Sequence, residues 1–419
     1  MKSSMVNLVR LWNRELPDSE VRARDGERLH TSSKQMDRLH QAAGARPSGR
    51  NSTPAVAIPL LTVLLLALPV VAFAQVELPV ERDTVNIGKL SFTGYPYIFY
   101  TPETEFALGG ALIFTMRLSD NPDVKPSNAI LSGYYSVKHS YDIFLNPEFF
   151  LGNDKYYLGL SIDYYRFVDK FWGIGNQTPD TGAVGYIRKI LWFNTEFDIE
   201  VVKPLKVGLT YDLNNTIIED KQANPHLLSG SVTGSDGGLA SAIGLVLFAD
   251  TRNNAFSPSR GGYYKLSVLT ARPWLGSEFS FDRWILDLRH YVSLGERFVL
   301  ALQVYANAVR GDPPFTAIPA LGGDNTMRGY YEGRYRDNFY GAMQGELRVQ
   351  LARRWGVVGW LGAGDVAASL SDFGLKQIKP TFGIGVRFAL DPEELLNMRA
   401  DFARGRDSQG IYFNAKEAF

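Results

Sequence analysis

The sequence predicts an all-β fold: a transmembrane, antiparallel β-barrel of about sixteen strands. Three observations carry that reading. Apolar and polar residues alternate with period two over segments of ten or more residues from about residue 89 to the chain end. Aromatic pairs mark the segment ends, and an apolar export-type segment precedes them all. Strands of about 9–11 residues cross the hydrocarbon layer when tilted, whereas ordinary strands average about five or six.

The export segment comes first. Residues 55–73, AVAIPLLTVLLLALPVVAF, are uncharged, follow Arg46 and Arg50, and end in Ala72-Phe73-Ala74 before Gln75. A basic region, an apolar stretch and a small-x-small site make a secretory signal. A membrane anchor is the competing reading, and Pro59 and Pro69 count against it. The chain therefore divides into a polar extension at 1–54, disordered or arising from a miscalled start with Met36 as one candidate, then the signal at 55–74, a short periplasmic lead at 75–88 and the barrel at 89–419.

Composition narrows the function classes. The 419 residues carry 44 basic and 44 acidic side chains, which excludes the basic footprint of a nucleic-acid binder. With no cysteine, disulfide frameworks, thiolate metal sites and cysteine nucleophiles are all ruled out. No HExxH, GxSxG or phosphate-cradling glycine loop appears, so no enzyme, cofactor or metal centre is expected.

Alternation places the strands. Phe106, Leu108, Leu112, Phe114 and Met116 share one parity; Phe298, Leu300, Leu302 and Val304 oppose Gln303 and Asn307; Met343, Leu347 and Val349 oppose Gln344, Glu346 and Arg348. Side chains alternate across a strand, so each segment has an apolar and a polar face. The expected strands are 89–100, 104–118, 127–138, 141–151, 155–169, 184–202, 205–218, 239–250, 261–272, 277–292, 296–310, 340–352, 355–365, 379–390, 394–404 and 409–418. Tyr134-Tyr135, Tyr164-Tyr165, Phe171-Trp172, Tyr263-Tyr264 and Tyr330-Tyr331 read as interfacial girdles. Ile411 and Phe413 share a parity with the terminal Phe419 and suggest a closing strand. Short links alternate with long ones, which places both termini in the periplasm, with 251–260 as a long link on the short side.

The longest link, 311–339, has little strand character, and loops of this length are usually functional or disordered. It contains Met327-Arg328-Gly329-Tyr330, with Gly322-Gly323 before it and Arg336-Asp337 after. This stretch resembles the valine-arginine-glycine-aromatic loop of the BamA/TamA-type outer-membrane assembly barrels, the bacterial surface antigens. The run from Asp250 to Gly262, with Arg252, Asn254, Pro258 and Gly261, resembles that family's turn, DTRDNPFxPxRGG. Tyr100–Thr104, Phe171–Asn176 and Gly383–Phe419 are similar to further family segments.

The resemblance implies that the long loop folds back into the lumen and that its arginine docks on acids of the inner wall. Parity offers Glu346 and Asp401 as those acids. The chain departs from the family in Trp360-Leu361-Gly362-Ala363-Gly364-Asp365, where an aspartate usually stands at Gly362 and Asp365 has the opposite parity. The resemblance further implies a factor that inserts or moves proteins or lipids at the bacterial outer membrane, with a weak seam between the first and last strands. Its expected partners are outer-membrane lipids, client barrel proteins or an accessory periplasmic subunit. The alternative is a passive pore or structural surface barrel, since about 14 residues between Gln75 and the first strand leave no room for a POTRA domain.

Overall fold

The computed structural model describes Gly88, 90–121, 124–180, 183–374, 377–391, 396–415 and 417–419. The extension, the signal and the lead up to 87 lie outside the described residues.

Sixteen strands close into one antiparallel barrel. In chain order they begin with β1 (Leu90–Thr101), β2 (Glu105–Met116), β3 (Ser127–Ser136), β4 (Tyr141–Leu151), β5 (Tyr156–Phe171) and β6 (Val184–Val202). β7 (Leu205–Asp220), β8 (Gly237–Asp250), β9 (Gly261–Ala271), β10 (Ser280–Ser293) and β11 (Phe298–Asp312) follow. Two short strands, β12 (Ala320–Leu321) and β13 (Tyr335–Arg336), form a separate ribbon within the long loop. The barrel resumes with β14 (Phe339–Gln350), β15 (Trp355–Ala367), β16 (Lys379–Asp391), β17 (Leu396–Arg404) and β18 (Gln409–Ala415). Each strand pairs with its predecessor in the barrel, and β18 meets β1.

The period-two pattern becomes two faces. On β15 Leu361 is 72 % exposed while Trp360 beside it is buried, and on β14 Met343 and Leu347 are exposed while Gln344, Glu346 and Arg348 are buried. An apolar face left open and a polar face buried invert the arrangement of a water-soluble sheet. Only a hydrocarbon surround makes the exposed face favourable, at about 25 cal/mol per Å² removed from water.

Neighbouring residues on a strand face opposite ways, and this corrects the reading of the aromatic pairs as girdles on both members. Tyr135, Tyr164 and Tyr264 are exposed, whereas Tyr134, Tyr165 and Tyr263 take the other face. Phe171 and Trp172 are buried, Phe171 in a cluster with Tyr186, Leu227, Phe315 and Ile318 beneath the long links. Tyr330 is buried as well. The last strand also differs from expectation: it ends at Ala415 rather than 418. Residues 417–419 leave the sheet because their polar groups find partners on the polar face, as described below.

Candidate functional site

The long link between β11 and β14 is an ordered structure. Its base is the β12/β13 ribbon, pairing Ala320 with Arg336 and Leu321 with Tyr335. Gly322 has φ +115°, and a Cβ there would sit 2.1 Å from the Tyr331 carbonyl oxygen. At the tip, Gly329 has φ +100° and a Cβ would meet Arg404 and Gly405 backbone atoms at 2.9 Å. The glycine of the arginine motif is thus required twice, for backbone conformation and for closeness to the β17–β18 turn. Leu321, Met327 and Tyr330 bury against Tyr340 and Val366, which ties the tip to β14 and β15.

Arg328 is fully buried. Its Nη1 donates to Asp401 Oδ2 at 2.7 Å and its Nη2 to Glu346 Oε2 at 2.7 Å. The guanidinium lies 3.6 Å from the centroid of the Trp360 ring, and the Thr381 hydroxyl donates to the Arg328 carbonyl. The two acids selected by parity, Glu346 on β14 and Asp401 on β17, therefore meet one cation from a loop. Gly362 contributes no carboxylate, and Asp365 instead accepts from Lys379 Nζ. Trp360 was missed by sequence reasoning, although it stands in the same short motif and has the inward parity; its ring supplies a flat electron-rich face in a confined, low-dielectric setting.

The pair belongs to a larger network. Arg348 Nε donates to Glu346 Oε1 at 2.9 Å, Arg387 bridges Asp401 and Glu417, and Arg399 Nη2 donates to Asp324 Oδ2 at 2.7 Å. Four arginines thus face four carboxylates (Glu346, Asp401, Glu417 and Asp324), and no charge is left uncompensated. Compensation on this scale is what makes burial of so many ions tolerable, since one uncompensated buried ion costs several kcal/mol.

The turn from Asp250 to Gly262 joins the network from below. Arg252 grips Asp250 with two bonds, at 2.9 and 3.0 Å, and Asn254 Oδ1 accepts from the Phe256 and Ser257 amides. The Pro258 carbonyl accepts from Arg348 Nη1 at 3.3 Å. Gly262 N–H donates to Thr251 Oγ1 at 2.9 Å, and a Cβ on Gly261, at φ +90°, would stand 2.0 Å from the Thr251 carbonyl oxygen. Gly261→Ala is expected to cost about 1–3 kcal/mol, read as a lower temperature for the loss of heat-resistant migration in gels. The Phe419 backbone oxygen accepts from Arg348 Nη2 at 2.8 Å, and its ring packs with Tyr291, Ala301 and Ala418. Phe419 thus lies on the opposite side of the wall from the exposed Ile411, and the two do not form one continuous strand face.

Closure of the barrel is uneven. Among the described residues β1 pairs with β2 over twelve residue pairs and β17 with β18 over seven, but β1 with β18 at one, Tyr100 opposite Phe413. The loop touches both sides of this junction. Gly329 N–H donates to Tyr412 Oη on β18 at 2.9 Å, and Glu332 N–H donates to Glu103 Oε1, in the β1–β2 turn, at 2.8 Å.

Burial, reinforced by the charge of Glu332 and opposed by the hydrogen bond from its amide, pushes the Glu103 carboxyl up to about 7 from an ordinary 4.5. A raised carboxyl pKa means that the folded state holds the proton more tightly. The stability it contributes is complete below about pH 4.5 and is lost as pH rises through about 7, by on the order of 3 kcal/mol. Thermal stability is therefore expected to fall between pH 5 and pH 8, and Glu103→Gln to flatten that profile; an equal slope in the variant would remove Glu103 as its source.

The sequence model described as the Omp85 superfamily domain matches residues 135–419. The chain belongs to the Omp85 superfamily. Among solved structures, this Omp85 barrel is similar to the crystal structure of BamA from Haemophilus ducreyi lacking POTRA domains 1–3, at 14 % identity and a TM-score of 0.54, over 85 % of this chain and 78 % of that one. It is also similar to CdiB from Escherichia coli, at 15 % identity and a TM-score of 0.52, over 80 % of this chain and 66 % of that one, so it spans just under two thirds of that protein. Identities this low establish a common fold. A search of curated proteins gave no match. An Omp85 barrel with an exposed apolar belt is an outer-membrane protein.

Proposed function

We propose that this Omp85 barrel is an assembly or translocation factor that inserts or moves proteins, or lipids, at the bacterial outer membrane, with its termini toward the periplasm. The observation that carries the proposal is the short pairing of β1 with β18, one residue pair among the described residues. Strand edges expose unpaired N–H and C=O groups, which hydrocarbon leaves unsatisfied at several kcal/mol each. An incoming strand that pairs with the free edge of β1 removes that cost by β-augmentation. The loop acts as a clasp: Arg328 anchors it to Glu346 and Asp401, while Gly329 and Glu332 hold Tyr412 and Glu103 on either side of the seam. Opening then requires the short contacts at the seam to break while the deep anchor stays intact. The expected partners are outer-membrane lipids, client barrel proteins and an accessory periplasmic subunit. No step calls for a catalytic residue, a metal or a cofactor.

Depletion in the native host, followed by proteomics and lipid analysis of the isolated outer membrane, tests this. Selective loss of a few barrels or of one lipid class supports the proposal and names the clients. The second reading, a passive pore, is favoured by an open chamber beside the loop; it predicts an unchanged membrane composition with altered permeability.

A further inference from the structure

The barrel interior is filled unevenly. The long loop and the ion network cover the wall from β14 to β18, while inward residues of β6 to β10 bound a chamber of about 490 Å³, with Pro314, Thr316 and Ala317 of the loop base against it. That volume falls in the range of small-molecule sites, about 300–1,000 Å³.

Most charges on this wall are consumed by neighbours. Lys265 Nζ binds both oxygens of Glu196 at 2.8 Å, and Asp287 accepts from Arg289 and from Gln303. Two groups keep free valences. Asp212, on β7, accepts with Oδ2 from Trp192 Nε1 at 2.7 Å and from Asn194 Nδ2 at 3.4 Å, while its Oδ1 has no partner among the described residues. Arg283, on β10, donates with Nε to Asn307 Oδ1 at 3.1 Å, and its two terminal nitrogens have no acceptor among the described residues. Asp212 and Arg283 line the same chamber, near enough for the charge of Arg283 to act on Asp212 but without an ion pair within 4.0 Å, so each keeps its outer atoms open. Each is thus held by its inner atoms and presents its outer ones.

We propose that the chamber binds a small zwitterion, with its ammonium group on Asp212 and its carboxylate or phosphate on the Arg283 fork. The two terminal guanidinium nitrogens match a two-oxygen anion in geometry. A lone anion would face the Asp212 carboxylate and a lone cation the Arg283 guanidinium. A neutral sugar would strip water from both charges and return no opposite charge. Only a ligand carrying both signs satisfies both walls at once. Free amino acids and the headgroup of an ethanolamine lipid share this chemistry. The site does not depend on opening of the seam.

The test is calorimetric titration of the full chain in detergent micelles with glycine, phosphoethanolamine, acetate, ethylamine and glucose. Saturable binding of glycine or phosphoethanolamine at least ten-fold tighter than acetate, ethylamine or glucose is expected. Asp212→Asn and Arg283→Gln should each weaken it ten-fold or more while heat-modifiable gel migration stays that of a folded barrel. Tighter binding of glycine marks a free solute as the ligand, and tighter binding of phosphoethanolamine marks a lipid headgroup. Zwitterions that bind no better than the singly charged probes, or folded variants that bind like wild type, overturn the proposal. Should either variant fail to fold, the comparison of probes on the wild-type chain decides alone.

Discussion

Arg328→Ala is expected to be the most damaging single substitution in the barrel. It removes the guanidinium that Glu346 and Asp401 share and leaves two carboxylates fully buried beside one another's remaining partners. Breaking one member out of a buried ionic set costs about 3–5 kcal/mol, and here Glu346 keeps Arg348 and Asp401 keeps Arg387, but three arginines then face the four carboxylates. The loop also loses the contact with the Trp360 ring. We therefore expect a lower temperature for the loss of heat-resistant migration, and a loop that proteases cleave between β11 and β14. Arg328→Lys should recover only part of the loss, since one ammonium group cannot span both acids in the planar geometry that the guanidinium provides. In planar bilayers the alanine variant should conduct more than wild type. Equal stability and equal conductance would mean that the docked loop neither holds the wall nor obstructs the lumen.

The second large effect is expected from the seam. The chain has no cysteine, so a pair introduced as Tyr100→Cys and Phe413→Cys has no competing thiol. These positions face each other across β1 and β18, where directly opposed residues stand about 4.5–5.5 Å apart and a disulfide spans them. Oxidation should lock the junction and abolish assembly or translocation in cells, and reductant should restore it. The barrel itself should remain folded, because β1–β2 and β17–β18 pairing is untouched. Unimpaired growth and an unchanged outer membrane with the disulfide formed would contradict seam opening and favour the pore.

The wall of the barrel was legible because its physics is local: period-two alternation reports which face each side chain takes, and strand limits fall within a few residues of the observed ones. The same parity singled out Glu346 and Asp401 once the family resemblance implied that the loop arginine docks on inward acids. Height along the barrel was not legible. Trp360 and Asp365 occupy one short motif, but only the register between β14, β15 and β16 puts the first under Arg328 and the second beside Lys379. Long-range partners were hidden for the same reason: nothing in the neighbourhood of Glu103 announces that its carboxylate receives an amide 229 residues away. The end of the chain misled because Ile411, Phe413 and Phe419 share a parity, and parity carries no information once a chain leaves the sheet. Glu417, drawn to Arg387, is what turns it away.

The uneven filling of the interior has a mechanical consequence. Ion pairs and packed aromatics make the β14–β18 arc stiff, because any change in its curvature must separate charges inside a low-dielectric space. The arc from β6 to β10 surrounds the open chamber and carries fewer such links, with Lys265 bound to Glu196 and Arg289 to Asp287. The proposed opening at the seam would therefore draw its bending from the arc around the chamber, with β18 carried on the arc that holds more of the ion pairs.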